Sequence, residues 1–352
     1  MAKESPTYPF PYSKAAQLDS RIKIPRPAIN PTLVPMLDSC LLPEEIDLNF
    51  MRGVSSGDNT DTNTAFIYNA ATILKSQPHL KHTEHSIPGP DANSINIILS
   101  VFSPKEPTSP ALPALYHLHG GAMIAGTRFT GLPELLHLLD GIECVIVSIE
   151  YRLAPETRAP GAAEDCYAGL VWISTNAASL GIDPAGIIVC GVSGGAALAA
   201  SICLMARDRK LPALRIKAQM LLSPMLDDRC ESVSDRQFEY GSPWCGVSNR
   251  MAWGHVLGME RGSDGVTGYQ APGRAEDLGG LPPAYIDVGE CEVFRDPAVL
   301  FAMKMWSCGS TCELHVWPGA FHLFDGVDDP GVSLIHAAIV AKQGWLRRMM
   351  LL

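Results

Sequence analysis

Three residue types at workable spacing carry the chemistry of this chain: a serine between glycines, carboxylates after an apolar run, and a late histidine in a glycine-aromatic loop. The serine lies in Gly191-Val192-Ser193-Gly194-Gly195, entered from Ile187-Ile188-Val189-Cys190 and left through Ala196-Ala197-Leu198-Ala199-Ala200. Glycines two residues to either side permit the sharp strand-to-helix turn that lifts a serine hydroxyl above a sheet, a nucleophile elbow. The pentapeptide alone would arise by chance in roughly one chain in eight of this length, so its partners must carry the argument.

A serine nucleophile needs a base, a group to orient that base, and donors for a developing oxyanion. His322 is the base candidate, in Gly319-Ala320-Phe321-His322-Leu323-Phe324, directly after the last apolar run. Such a loop at the carboxyl end of a strand is where α/β active sites gather. For the acid, the segment from Tyr285 to Asp296 offers Asp287, Glu290, Glu292 and Asp296. Asp287 falls inside the strand and Asp296 is placed to cap a helix starting at Pro297, which leaves Glu290 and Glu292 as rivals on the loop. For the oxyanion, His119-Gly120-Gly121-Ala122 follows a strand ending at Leu118, and Gly194 opens the helix after the serine. Backbone N–H groups at both places can turn toward one point. The order serine, acid, histidine differs from that of the chymotrypsin and subtilisin types.

These groups require a scaffold, and the apolar pattern supplies one. Ala114 to His119, Cys144 to Ile149, Ile187 to Val192, Ile216 to Leu222, Tyr285 to Gly289 and Cys312 to Val316 are short apolar runs closed by turn residues. They alternate with helix-compatible segments at Ala162 to Ala178, Gly195 to Arg207 and Ser333 to Met350, the pattern of a βαβ series. With a hairpin of His82 to Ile87 and Ile95 to Phe102 the expectation is an α/β fold with a mostly parallel sheet of about eight strands flanked by helices. Residues 76–226 and 281–352 form the expected catalytic domain. Residues 1–75 and 227–280 fall outside the alternation and are expected to be an N-terminal cap segment and a cap insertion. The insertion carries Phe238, Tyr240, Trp244 and Trp253, suited either to covering an apolar pocket or to ordinary packing.

Composition narrows the function. The chain has 352 residues, 47% hydrophobic and 18% charged, with a formal net charge of -10. That is ample for a buried sheet, and no Lys/Arg run offers a footprint for nucleic acid or an anionic membrane. Met1 to Tyr12 has no apolar h-region and no stretch could span a bilayer, so a cytoplasmic protein is expected. The 10 cysteines are scattered, which suggests reduced, buried thiols rather than a disulfide framework. Three smaller features invite chemistry without compelling it. His79, His82 and His85 have a metal-like spacing, but strand neighbours of odd separation point to opposite faces. Cys291 adjoins Glu292, and Asp325, Asp328 and Asp329 form an acidic loop for which solvation is the ordinary explanation. No metal or cofactor is expected.

Together these residues resemble the hormone-sensitive-lipase-like family of α/β-hydrolases over roughly residues 80 to 350. The resemblance rests on His119-Gly120-Gly121, on Tyr151-Arg152-Leu153-Ala154-Pro155-Glu156, on the serine elbow, and on Gly-x-x-acid-x-x-Arg-Asp at 289–296 with the terminal Gly-x-x-His-x-Phe. It implies an α/β-hydrolase fold, a carboxylic-ester hydrolase without cofactor, and an acid three residues after the glycine, which selects Glu292. It also implies oxyanion donors in the Gly120, Gly121, Ala122 turn, specifically Gly121 and Ala122, with Gly194. The chain departs from the family at Ala122, where a third glycine is usual, at Val192, where aspartate is usual, and at Glu292, where aspartate is commoner. The expected substrate is a small to medium ester. Acyl transfer, lactonisation or dehydration on the same fold is the alternative, and a non-catalytic receptor is disfavoured by the presence of His322. A homodimer is left open.

Overall fold

The computed structural model describes residues 23–40, 47–56, 68–90, 95–210, 215–326, 329 and 331–351. Eight strands form one sheet: β1 (Leu80–Ile87), β2 (Ile97–Pro104), β3 (Leu112–Leu118), β4 (Val145–Glu150), β5 (Ile182–Val192), β6 (Ala218–Leu222), β7 (Ala284–Gly289) and β8 (Cys312–Trp317). Their order is β1-β2-β4-β3-β5-β6-β7-β8. β1 pairs antiparallel with β2, and β2 with β4, whereas β4, β3 and β5 to β8 run parallel. The expected hairpin is present, with His82 opposite Phe102 and Ile87 opposite Ile97. The chain steps from β3 to β4 on one side and then to β5 on the other, so β3 and β5 meet at the switch point where α/β sheets open a crevice at their carboxyl ends.

The helices among the described residues are α1 (Val34–Cys40), α2 (Leu48–Ser56), α3 (Ala70–Ser76), α4 (Leu132–Leu138), α5 (Gly161–Thr175), α6 (Ala177–Leu180), α7 (Gly194–Arg209), α8 (Val233–Gln237), α9 (Gly246–Leu257), α10 (Arg295–Ser307) and α11 (Ser333–Met350). Two apolar cores sit on the two faces of the sheet. The period-two alternation of the strands deals their side chains between them: Ala114, Tyr116, Leu118, Ile187 and Val189 enter one core, Leu115, Ile188 and Cys190 the other. Helices α5, α7 and α10 close the first core and α4 and α11 the second. Strands buried on both faces need unbroken apolar sequence, which is why β3 to β6 read as runs rather than as alternations.

Of the two readings left open for the aromatics of the 227–280 segment, Phe238, Trp244 and Trp253 follow packing, buried in the first core. One expectation needed revision. Asp296 does not cap its helix: α10 starts at Arg295, and the Asp296 carboxylate instead accepts the Ser234 N–H at 2.7 Å. No helix among the described residues is long and apolar enough to cross a membrane.

Candidate active site

Ser193 sits between β5 and α7 with φ 54° and ψ −117°, a conformation costly for any residue with a Cβ. Its N–H donates to Leu222 O at 2.8 Å, which ties the turn to β6. The flanking glycines are required by close approach: a Cβ on Gly191 would lie 2.2 Å from Gly195 O, and one on Gly195 would lie 2.2 Å from Leu118 O. Turn and helix therefore pack backbone against backbone, leaving the Ser193 side chain 4% exposed at the carboxyl edge of the sheet.

Glu292 and His322, on loops beyond β7 and β8, come together with His322 Nδ1 2.6 Å from Glu292 Oε2. The other carboxylate oxygen of Glu292 accepts from the Gly289 N–H at 2.8 Å and from the Ser223 hydroxyl at 3.2 Å. The carboxylate is fully buried yet satisfied at both oxygens, as a buried charge must be. With Nδ1–H donating to it, Nε2 of His322 is left as the basic nitrogen. The ring of Phe294 meets His322 edge-on at 5.1 Å. Glu290 is spent elsewhere, accepting the Gly319 N–H at 2.8 Å, so the geometry separates the two rival carboxylates. Among the described residues no hydrogen bond joins His322 to Ser193. Such contacts are often loose without substrate and tighten when it binds.

The turn after β3 faces the elbow. A Cβ on Gly120 would lie 3.9 Å from Ser193 Cβ, and one on Gly194 would lie 2.7 Å from Ala122 Cα. Gly121 has φ 111°, Ala122 φ 54° and Met123 φ 63°. Ile124 and Ala125 N–H both close on Gly121 O at 3.0 Å. Among the described residues the N–H groups of Gly121, Ala122 and Gly194 make no hydrogen bond. His119 anchors the turn from below, its Nδ1–H reaching Gly120 O at 2.7 Å, while Tyr151 stacks on its ring at 4.0 Å and donates its hydroxyl to His119 O at 2.7 Å. Burial pushes the His119 pKa down to about 4, so its imidazole is a neutral strut.

The Tyr151-to-Glu156 motif holds this turn in place. The Ala154 N–H donates to Met123 O at 2.9 Å, and Arg152 pairs with the buried Asp165 at 2.6 Å. Sequence reasoning missed Arg52 on α2. Its guanidinium donates to Ile124 O and to Ala154 O, both at 3.0 Å, and forks onto both oxygens of Glu156 at 2.8 and 2.6 Å. That hydrogen-bonded pair draws the Glu156 pKa down to about 2. A lone arginine in a short amphipathic helix carries no signal of such a partner. Ser223 and Ser234 were missed for the same reason. Ser234 Oγ donates to Val293 O at 2.8 Å and so ties the 227–280 segment to the acid loop.

The smaller features prove structural. His82 bonds Ser100 Oγ at 3.1 Å while the ring of His85 lies 5.0 Å from that of Trp172, and no metal-holding cluster occurs among the described residues. Cys291 is buried, its thiol pushed up to about 12 by desolvation. Asp325 is not a solvated acid: it turns inward onto Lys342. Asp328 lies outside the described residues.

Comparison with known proteins bears on the fold and the class of activity. A family model described as the alpha/beta hydrolase fold matches residues 115–326. The chain is 32% identical over 210 residues to an arylesterase of Saccharolobus solfataricus, covering 60% of this chain and 67% of that protein. It is 29% identical over 300 residues to carboxylesterase NlhH of Mycobacterium tuberculosis, covering 85% and 89%. Among solved structures, a bacterial heroin esterase superposes with a TM-score of 0.78 at 30% identity, covering 92% of this chain and 98% of that one. Esterase LipW from Mycobacterium marinum gives 0.77 at 26%, covering 96% and 99%. With the matched model spanning more than half of the chain, the chain belongs to the hormone-sensitive-lipase-like family of α/β-hydrolases and is a carboxylesterase-type hydrolase.

Proposed function

We propose that the protein hydrolyses a small to medium carboxylic ester through a Ser193-His322-Glu292 triad and a backbone oxyanion hole. The observation that carries this reading is the 2.6 Å bond between His322 and Glu292 on loops beyond the strands that follow the Ser193 elbow. Ser193 Oγ attacks the ester carbonyl while His322 Nε2 takes its proton, and Glu292 holds the imidazole and stabilises the imidazolium. The N–H groups of Gly121, Ala122 and Gly194 receive the negative oxygen, with Gly120 shaping their turn. Collapse of the tetrahedral intermediate expels the alcohol, protonated by His322, and leaves an acyl-serine. Water, deprotonated by His322, then frees the acid and restores the hydroxyl.

The same support extends to substrate size and organisation. Ser193 and His322 are 4% and 9% exposed, a tight enclosure that favours a compact ester. Residues 227–280 and the N-terminal segment act in this reading as the cap over residues 76–226 and 281–352, fastened by Ser234 to the acid loop and by Arg52 to the oxyanion turn. The free thiols of the nine cysteines whose side chains are described fit a cytoplasmic setting.

A p-nitrophenyl ester series from acetate to palmitate, run on the protein and on Ser193→Ala, tests the proposal. Turnover is expected on the short esters and is expected to vanish in the folded variant. Retained turnover in Ser193→Ala would overturn the serine mechanism.

A further inference from the structure

Lys342 is the one lysine of the apolar stripe of α11. It lies in register with Ile335, Ala338, Ile339, Trp345 and Leu346, all buried, and is itself only 5% exposed. An ammonium at such a position is costly unless paired. Its Nζ lies 3.1 Å from Asp287 Oδ2 on β7 and contacts Asp325 Oδ2 on the loop beyond β8. Desolvation alone would lower its pKa, but the two carboxylates raise it above the ordinary ammonium value, so it stays charged.

Both carboxylates lead to the proposed catalytic groups. Asp325 is three residues after His322, and the intervening turn is tight: Leu323 has φ 56°, Phe324 N–H closes on Phe321 O at 3.2 Å, and Gly326 N–H closes on Leu323 O at 3.0 Å. The Asp325 contact therefore fixes the end of the turn whose start carries the imidazole. Asp287 accepts the Trp317 Nε1–H at 3.3 Å, and its backbone carbonyl accepts the Ser223 N–H at 2.9 Å. Ser223 in turn donates its hydroxyl to Glu292. One ammonium thus connects the loop of the base to the strand that supports the acid.

We propose that Lys342, through Asp325, is a positioning residue that holds the His322 loop against β7 at the height where the imidazole meets Glu292. This rests on the triad reading above. Neither Lys342 nor Asp325 touches substrate in it. The trio sets one ammonium between two carboxyl groups in a buried place that an apolar side chain of equal length could fill, and burying such a cluster is a poor way to gain stability. Placement of the loop is what the arrangement provides.

Asp325→Asn tests this while leaving Lys342 paired one-to-one with Asp287. Its kcat for p-nitrophenyl acetate is expected to fall about ten- to a hundredfold, with KM nearly unchanged, since small misplacement of a reacting group costs on that scale. The acid limb of the kcat/KM profile is expected to move, and the low-field proton resonance of the His322–Glu292 bond to broaden, readouts that a purely structural ion pair would leave alone. The triple variant Lys342→Met, Asp287→Asn, Asp325→Asn removes the charges together and leaves none orphaned. It is expected to lose the same factor. Wild-type kcat and resonance in either folded variant would overturn the proposal, whatever the change in Tm. Failure of both to fold would overturn it too, since the trio would then serve the fold. Turnover retained by Ser193→Ala would instead remove the triad reading beneath, so the two failures can be told apart.

Discussion

At the scale of the residue, the two turns that face each other beside Ser193 obey different constraints although both are built on small side chains. Ala122 holds φ 54° with a Cβ, a strain of order 1 kcal/mol that a glycine would not bear. Ala122→Gly is therefore expected to keep the ester activity and to leave stability unchanged or raised by up to about 1 kcal/mol in urea unfolding, the gain partly offset by a freer unfolded chain. Gly194 has no such latitude, because a Cβ there would press on Ala122 Cα at 2.7 Å and on Met123 N at 2.8 Å. Gly194→Ala is expected to push the two donor turns apart and lower kcat about 100- to 1000-fold, the usual effect of losing one donor. An ordinary kcat in that variant would show that this turn is not where the oxyanion is held. The departure at Ala122 was legible in the sequence as an extra methyl group beside the acyl site. That the backbone keeps the glycine conformation regardless was not, because φ depends on the closure of the turn by Ile124 and Ala125.

Elements explain why the turn stays shut. Helix α2 packs Leu48, Phe50 and Met51 against the first core, and Arg52 reaches from it across to the oxyanion turn and to the segment following β4. A planar fork can hold two carbonyls and a carboxylate together, and an ammonium cannot. Arg52→Met is expected to lower kcat about tenfold with little change in KM, and Arg52→Lys to rescue little of it. Full activity in the lysine variant would show that charge alone suffices. Elements were the most legible level of the sequence. β3 to β8 lie within a few residues of where their apolar runs place them, because strands buried on both faces, as β3, β4, β6 and β7 are, declare themselves by composition. Side-chain fastenings between elements were not legible, since Arg52 meets Glu156 and Ser234 meets Val293 across folds of the chain that no local pattern records. Lys342 is an intermediate case. A lysine at the centre of the stripe Ile335, Ala338, Ile339, Trp345, Leu346 is a visible anomaly, although its partners Asp287 and Asp325 could be named only once the strands were placed.

For the molecule as a whole, two histidines under the sheet edge set its behaviour in acid. Burial holds the pKa of His117 down to about 3 and that of His119 to about 4, whereas in the unfolded chain both return to about 6.5. Between those limits the unfolded state binds more protons, so the contribution is fully present above pH 6.5 and is lost as pH falls toward 4 and 3. Each histidine is expected to remove about 1.5 kcal/mol between pH 6.5 and pH 5, before most carboxylates titrate. Urea midpoints measured at pH 7.5 and pH 5 check this, and a flat midpoint would contradict it. The buried ion trio at Lys342 has a further consequence, for the order in which the protein becomes active. Helix α11 lies C-terminal in the chain to Ser193, Glu292 and His322, so under the proposed role of Lys342 the His322 loop gains its anchor only after all three have been synthesised. On that proposal, a nascent chain that has completed the elbow and even β8 still lacks the anchor of its His322 loop. Ester turnover during synthesis would then register the docking of α11, keeping the nucleophile quiet until the fold around it is closed.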